Sequence, residues 1–157
     1  MREVGKSLSP ARTTAWALLL AVLATVVGCG SEAPLTKKEY ATRLSAACEA
    51  FAAREQTIGD PSTLPDLVAK GPRILSAFEE TILAEARGLE APNDLADRAT
   101  RLVELAERQR DALAALIDAA RVGDVARVQT LTSTNAAING EADAIARAIG
   151  AARCTRE

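Results

Sequence analysis

The most constraining feature of this chain is a row of residues near its C-terminus. Val128, Leu131, Asn135, Ile138, Ala142, Ile145 and Ile149 recur at alternating steps of three and four. Such a series falls on one face only in an α-helix, where 3.6 residues per turn bring i, i+3, i+4 and i+7 together. No stretch of the chain alternates apolar and polar residues with period two, so no sheet is expected. One apolar helix face needs cover, and other helices must supply it.

Three further segments qualify. The first opens at Leu35-Thr36-Lys37-Lys38-Glu39-Tyr40, where Thr36 can cap the helix, Glu39 can reach back to it and Leu35 can staple onto Tyr40. Its inward row is Tyr40, Leu44, Ala47, Phe51 and Ile58, with Cys48 beside it. From Gly59 to Gly71 the prolines Pro61 and Pro65 and the Gly71-Pro72 pair resist a continuous helix, and Thr63-x-x-Asp66 reads as a capping box for one short turn. The second helix is therefore expected to start at Pro72, to turn Leu75, Phe78, Ile82 and Leu89 inward, and to end near Ala91-Pro92. Asn93 is expected to cap the third, whose row is Leu95, Ala99, Leu102, Ala106, Gln109, Leu113, Leu116 and Ala120. Gly123-Asp124 separates it from the fourth, and Gly150 closes that one. The expected fold is all-α, an antiparallel bundle of about four helices with one structural disulfide.

The N-terminus reads as an address. Arg2, Lys6 and Arg12 form a basic region ahead of the uncharged run Ala15 to Val27, which is too short at roughly 20 Å to span a bilayer core of ~30 Å. Val26-Val27-Gly28-Cys29 resembles a bacterial lipobox. The resemblance implies cleavage before Cys29 and a diacylglyceryl group on its sulfur. Residues 1–28 are then a lipoprotein signal peptide, 29–35 a lipidated N-terminus and tether, and 36–157 the helical bundle domain. With ~0.8 kcal/mol for each buried methylene, acyl chains hold a protein on a membrane firmly. Cleavage lowers Lys+Arg from 19 to 16 and Asp+Glu from 21 to 20, so the mature charge is −4. A mildly acidic surface leaves the anchoring to the acyl chains.

Once Cys29 is lipidated, Cys48 and Cys154 remain, 106 residues apart. An exported chain meets oxidising conditions, so a structural disulfide is expected, worth roughly 4.7 kcal/mol in the chain-entropy account. Two inert buried thiols and a redox couple are the alternatives, although the spacing is not the Cys-x-x-Cys of a redox couple.

Chemistry is sparse. The chain has no histidine, which removes His-based nucleophilic pairs, His-ligated zinc and Glu-x-x-His di-iron sites. No phosphate-binding glycine loop or nucleophile elbow occurs. The acid-first pairs Asp94/Arg98, Asp97/Arg101 and Glu104/Arg108 read as a solvated face with i,i+4 support. Thr132-Ser133-Thr134 lacks a base. Gln109 and Asn135 interrupt two apolar rows at equal distance from the Val122-Gly123 turn. They read either as a buried hydrogen-bonded pair that fixes register or as a polar contact to a ligand. Three aromatics in the mature chain and many alanines argue against a large cavity.

The helix-one start, the cysteine after it, Pro72 opening a mid-chain helix and a last cysteine at Cys154 together resemble small uncharacterised lipoproteins of high-GC actinobacteria. The resemblance implies a lipid-anchored, extracytoplasmic helical domain on the cell membrane and carries no catalytic residue. No cofactor, metal or nucleic acid is expected. The sequence reads as a non-enzymatic module that binds a protein or envelope component, with a small carrier or sensor of an apolar ligand as the alternative. The regular row on the last helix could also support a homodimer.

Overall fold

A computed structural model describes residues 35–155, and those residues contain helices and no strand. In order they form α1 (Lys37–Ile58), α2 (Leu64–Phe78), a π turn (Glu79–Leu83), α3 (Ala84–Gly88), a 3-10 turn (Asn93–Leu95), α4 (Ala96–Arg121), α5 (Val125–Ile149) and a last 3-10 turn (Ala152–Cys154). The helices α2 and α3 run through the π turn without a break, so four antiparallel rods build the bundle. The expected signal peptide, Cys29 and the expected tether as far as residue 34 lie outside the described residues.

Local chemistry sets the rod ends. Thr36 Oγ1 accepts from the Glu39 N–H at 3.3 Å, and the Glu39 carboxylate accepts from the Thr36 N–H at 2.8 Å, which completes the capping box of α1. The Thr36 hydroxyl also donates to that carboxylate at 2.6 Å, and this bond first, with the one from the Thr36 N–H, holds the Glu39 carboxyl below the usual range. Thr63 accepts from the Asp66 N–H, and Asp66 in turn accepts from the Ser62 hydroxyl at 2.8 Å. Asp124 accepts from the Arg127 N–H at 3.0 Å to start α5. Asn93 makes no side-chain cap; it opens a 3-10 turn that leads into α4.

The second rod departs from the sequence expectation. It begins at Leu64, not at Pro72, and Pro72 sits exposed inside it. A proline there leaves one carbonyl unpaired and costs about 3 kcal/mol in a helix interior. Packing offsets that cost. Gly71 is buried against Ile117 of α4, and a Cβ built on Gly71 would lie 2.7 Å from Ile117 Cγ1. The glycine is thus a point of close helix approach and not a breaker.

Further along, Leu67, Gly71, Ile74 and Phe78 step inward at helical spacing, and the next fully buried side chain is Leu83. That step of five is the wide turn itself, which shifts the rod's phase so that Leu83, Ala86 and Leu89 stay inside. Thr81 donates its hydroxyl to the Ala77 carbonyl at 2.6 Å across this turn. The expected inward residue Ile82 is only partly buried as a result, and Leu75, ahead of the turn, packs partly buried at the edge of the α2–α4 cluster.

The third rod, α4, is central. It packs on α2 and α5, whereas α1 packs on α2, the π turn, α3 and the C-terminal turn. Two stripes of α4 are therefore buried: Leu105 and Ala112 meet Ile138 of α5, while Ile117 and Ala120 meet Leu67 of α2. At mid-height Phe51 meets Phe78 edge-on with ring centroids 5.7 Å apart. The ion pairs expected along α4 give way to links between elements, among them Lys37–Asp94, Arg87–Glu107 and Arg101–Glu141.

Candidate functional site

The residues singled out by sequence lie in two places. Cys48, three turns into α1, is bonded to Cys154 with the Cα atoms 5.2 Å apart. A second rod starting near Ser62 should, by helix lengths alone, have left these residues far apart. The tail resolves this. Gly150 ends α5 in the left-handed conformation at φ 91°, which a residue with a Cβ rarely adopts. The Gly150 N–H and the Ala151 N–H both donate to the Ala146 carbonyl, and the chain reverses. It then runs back along α1: Gly150 lies beside Ala41, Cys154 Sγ lies 3.3 Å from the Leu44 carbonyl oxygen, and the bond to Cys48 follows. The sulfur carries no proton in the disulfide, so the contact with Leu44 is not a hydrogen bond.

This C-terminal strap bridges α1 and α5, whose backbones approach little although Tyr40, Ala41 and Leu44 share a side-chain cluster with Ala146 and Ile149. Besides the disulfide, its short turn packs on α1, with Ala151 and Cys154 against the cluster around Tyr40 and Leu44. The Ala151 methyl is fully buried, worth about 0.8 kcal/mol. Arg153 reaches Glu49 at 2.8 Å, but both side chains are more than half exposed, where ion pairs contribute little. Ordering each backbone residue costs about 1–2 kcal/mol. The covalent bond fixes the end of the strap, and the packing of Ala151 and Cys154 supports it.

Beneath it lies an apolar cavity of about 70 Å³. Leu44, Ala47 and Cys48 of α1 line it with Ala142 and Ala146 of α5 and Cys154, and Ile82, Ala86, Leu102 and Ala106 complete the wall. Ile82 reaches this wall because the π turn rotates it there. Short alanine side chains from all four rods leave the space unfilled.

Gln109 and Asn135 are both partly buried on facing helices, but the expected amide pair is not made through the Asn135 carbonyl. That oxygen, Asn135 Oδ1, is buried and has no hydrogen-bond partner. An unpaired buried acceptor costs about 1–3 kcal/mol. The hydroxyl of Tyr40 is likewise buried and unpartnered, and burial pushes its pKa up. Sequence reasoning placed Tyr40 inside but carried no signal for the missing partner.

The hydroxyls of Thr132, Ser133 and Thr134 donate to the carbonyls four residues earlier, so they are engaged with the backbone of their own helix. The row on α5 that could have served a homodimer packs on α4 through Ile138, Ala142 and Ile145. Among the described residues, no group of three or more His, Cys, Asp and Glu side chains is placed to hold a metal ion. No described helix is long and apolar enough to cross a membrane. No protein family, curated protein or solved structure matches this chain.

Proposed function

We propose that this protein is a lipid-anchored, extracytoplasmic helical module whose role is to bind another protein or an envelope component, without catalysis of its own. The observation that carries this reading is the size of the interior space. Ligand pockets span about 300–1,000 Å³ and are mostly apolar. The enclosed cavity beneath the strap is about 70 Å³, and the wider spaces of about 420–570 Å³ are open surface clefts edged by charged side chains such as Lys38, Arg54 and Glu80. A carrier of an apolar ligand is the less favoured reading for the same reason. The anchor rests on the lipobox-like Val26-Val27-Gly28-Cys29.

The bundle has two distinct ends. The start of α1 and the strap lie at one end, and the turn between α4 and α5 lies at the other, about 39 Å away along the 26 residues of α4. At that turn Val122 and Val125 are 79% and 52% exposed, the large apolar side chains left uncovered among the described residues. Metabolic labelling with an azido-palmitate analogue tests the anchor: incorporation that disappears in Cys29→Ala is expected, and an unlabelled protein overturns it. Photo-cross-linking in whole cells, with a benzoyl-phenylalanine at position 122, tests the binding role. One discrete adduct is expected, and its absence from positions 122 and 125 and from every exposed face would overturn it.

A further inference from the structure

The Cys48–Cys154 disulfide has two structural roles that meet at one place. It is the covalent bridge over the seam between α1 and α5, and both of its residues form part of the wall of the apolar cavity. We propose that it is a redox-operated latch, closed when oxidised, whose opening frees the C-terminal strap and exposes the cavity while the rest of the bundle stays folded.

Three observations support a local rather than a global opening. The strap's non-covalent hold is confined to one three-residue turn and the residue before it: the Ala151 methyl in the tail-end cluster, the Cys154 side chain packed against that cluster, and one exposed ion pair. Reduction leaves that short segment to hold on α1 by packing alone. Secondly, the clusters around Leu67 and Ile117, and around Leu105 and Ile138, are built from α2, α4 and α5 with no residue of α1 or the strap. Those clusters do not depend on the latch. Thirdly, Cys48 and Cys154 are both only partly buried, so a thiolate from outside can reach a sulfur.

The chemistry is a thiol–disulfide exchange with a dithiol reductant of the Cys-x-x-Cys class. One thiolate of the reductant attacks one sulfur of the pair and forms a mixed disulfide. The other sulfur leaves as a thiolate and takes up a proton. The reductant's second thiolate then attacks its own half of the mixed disulfide, and the second cysteine leaves and is protonated in turn. Two electrons and two protons pass to Cys48 and Cys154, and the reductant ends as a disulfide.

Hydrogen exchange on the full chain in detergent tests this, with tris(2-carboxyethyl)phosphine as the reducing probe. Amides of residues 40–48 and 146–154 are expected to exchange about ten-fold faster or more after reduction. Those of residues 64–75 and 105–120 are expected to stay as protected as before, and reoxidation should restore the original pattern. The double variant Cys48→Ala/Cys154→Ala should match the reduced protein. Unchanged exchange at 40–48 would overturn the latch, because the strap would then hold without its bond. Acceleration across all four rods would overturn it equally, because the bond would then be a staple for the whole fold.

Discussion

The two ends of this bundle are built differently. At the tail end every rod contributes to one cluster: Tyr40 and Leu44 from α1, Ala86 from α3, Ala99 from α4 and Ala146 from α5 pack with Leu89, Leu95 and Ala151. A capping box, a disulfide and the Lys37–Asp94 ion pair close it from outside. At the turn end, the first half of α5 lies against α4, with Val128 reaching the α2–α4 cluster, and most of its residues from Val125 to Ala137 are exposed. The difference teaches that a bundle of modest, alanine-rich core need not be uniformly secured. One end is enclosed by all four rods; the other is a two-helix hairpin leaning on α2.

That contrast can be broken at its strongest point. Leu95 is 1% exposed within the tail-end cluster. Leu95→Ala is expected to cost about 2–5 kcal/mol in denaturant unfolding. At the turn end the sharpest contact is Gly71 against Ile117. Gly71→Ala adds a methyl where none fits, and overpacking of about 1–3 kcal/mol should exceed the helix-propensity gain of just under 1 kcal/mol. A stabilised variant would mean that Ile117 moves aside freely.

Much of this was legible beforehand, and the misses have physical causes. The row on α5 announced helices and a bundle, because a three-four repeat has one structural solution. The capping box at Thr36 and the cysteine pair were readable as local chemistry and as a count. The start of α2 was misread because Gly71-Pro72 carries the signature of a helix boundary, and a sequence does not reveal that Ile117 will need the room a glycine leaves. The π turn was missed through its neighbour: choosing Ile82 after Phe78 keeps a helical step of four, whereas the buried residue is Leu83. The cavity was illegible, since it depends on how alanines from separate rods meet. Asn135 was correctly placed near the core, but one residue's position in a row says nothing about the partner its amide finds.

Asn135 supplies the next test, on the α4–α5 side. Replacing its unpaired buried oxygen, as in Asn135→Leu, is expected to raise stability by about 1 kcal/mol. Loss of stability or a changed oligomeric state would restore a register role for the amide. Acid probes both ends together. Thr36 lowers the pKa of Glu39, Ser62 that of Asp66, Arg54 that of Glu80 and Lys37 that of Asp94. Each lowered carboxyl contributes stability that is complete above its unfolded pKa and lost as the pH falls through its folded one. With no histidine, melting temperature should be flat from about pH 5 to 8 and fall at lower pH. A flattened acid limb in Glu39→Gln, set against Asp66→Asn, would show which end the acid loosens first. The smallest effect belongs to the open turn: Val122→Ser should change stability by less than about 0.5 kcal/mol.

The strap has a mechanical consequence. Pulling between the start of α1 and the tail loads a covalent path that runs down the first three turns of α1, crosses from Cys48 to Cys154 and leaves through the strap. The 106-residue span between the two cysteines lies off that path. Tension applied to the two ends of the chain would stretch those few turns and stop at the sulfur bridge, leaving the rest of the bundle slack and folded. Whatever tugs on the tail of this protein pulls on the first turns of α1 and not on its core.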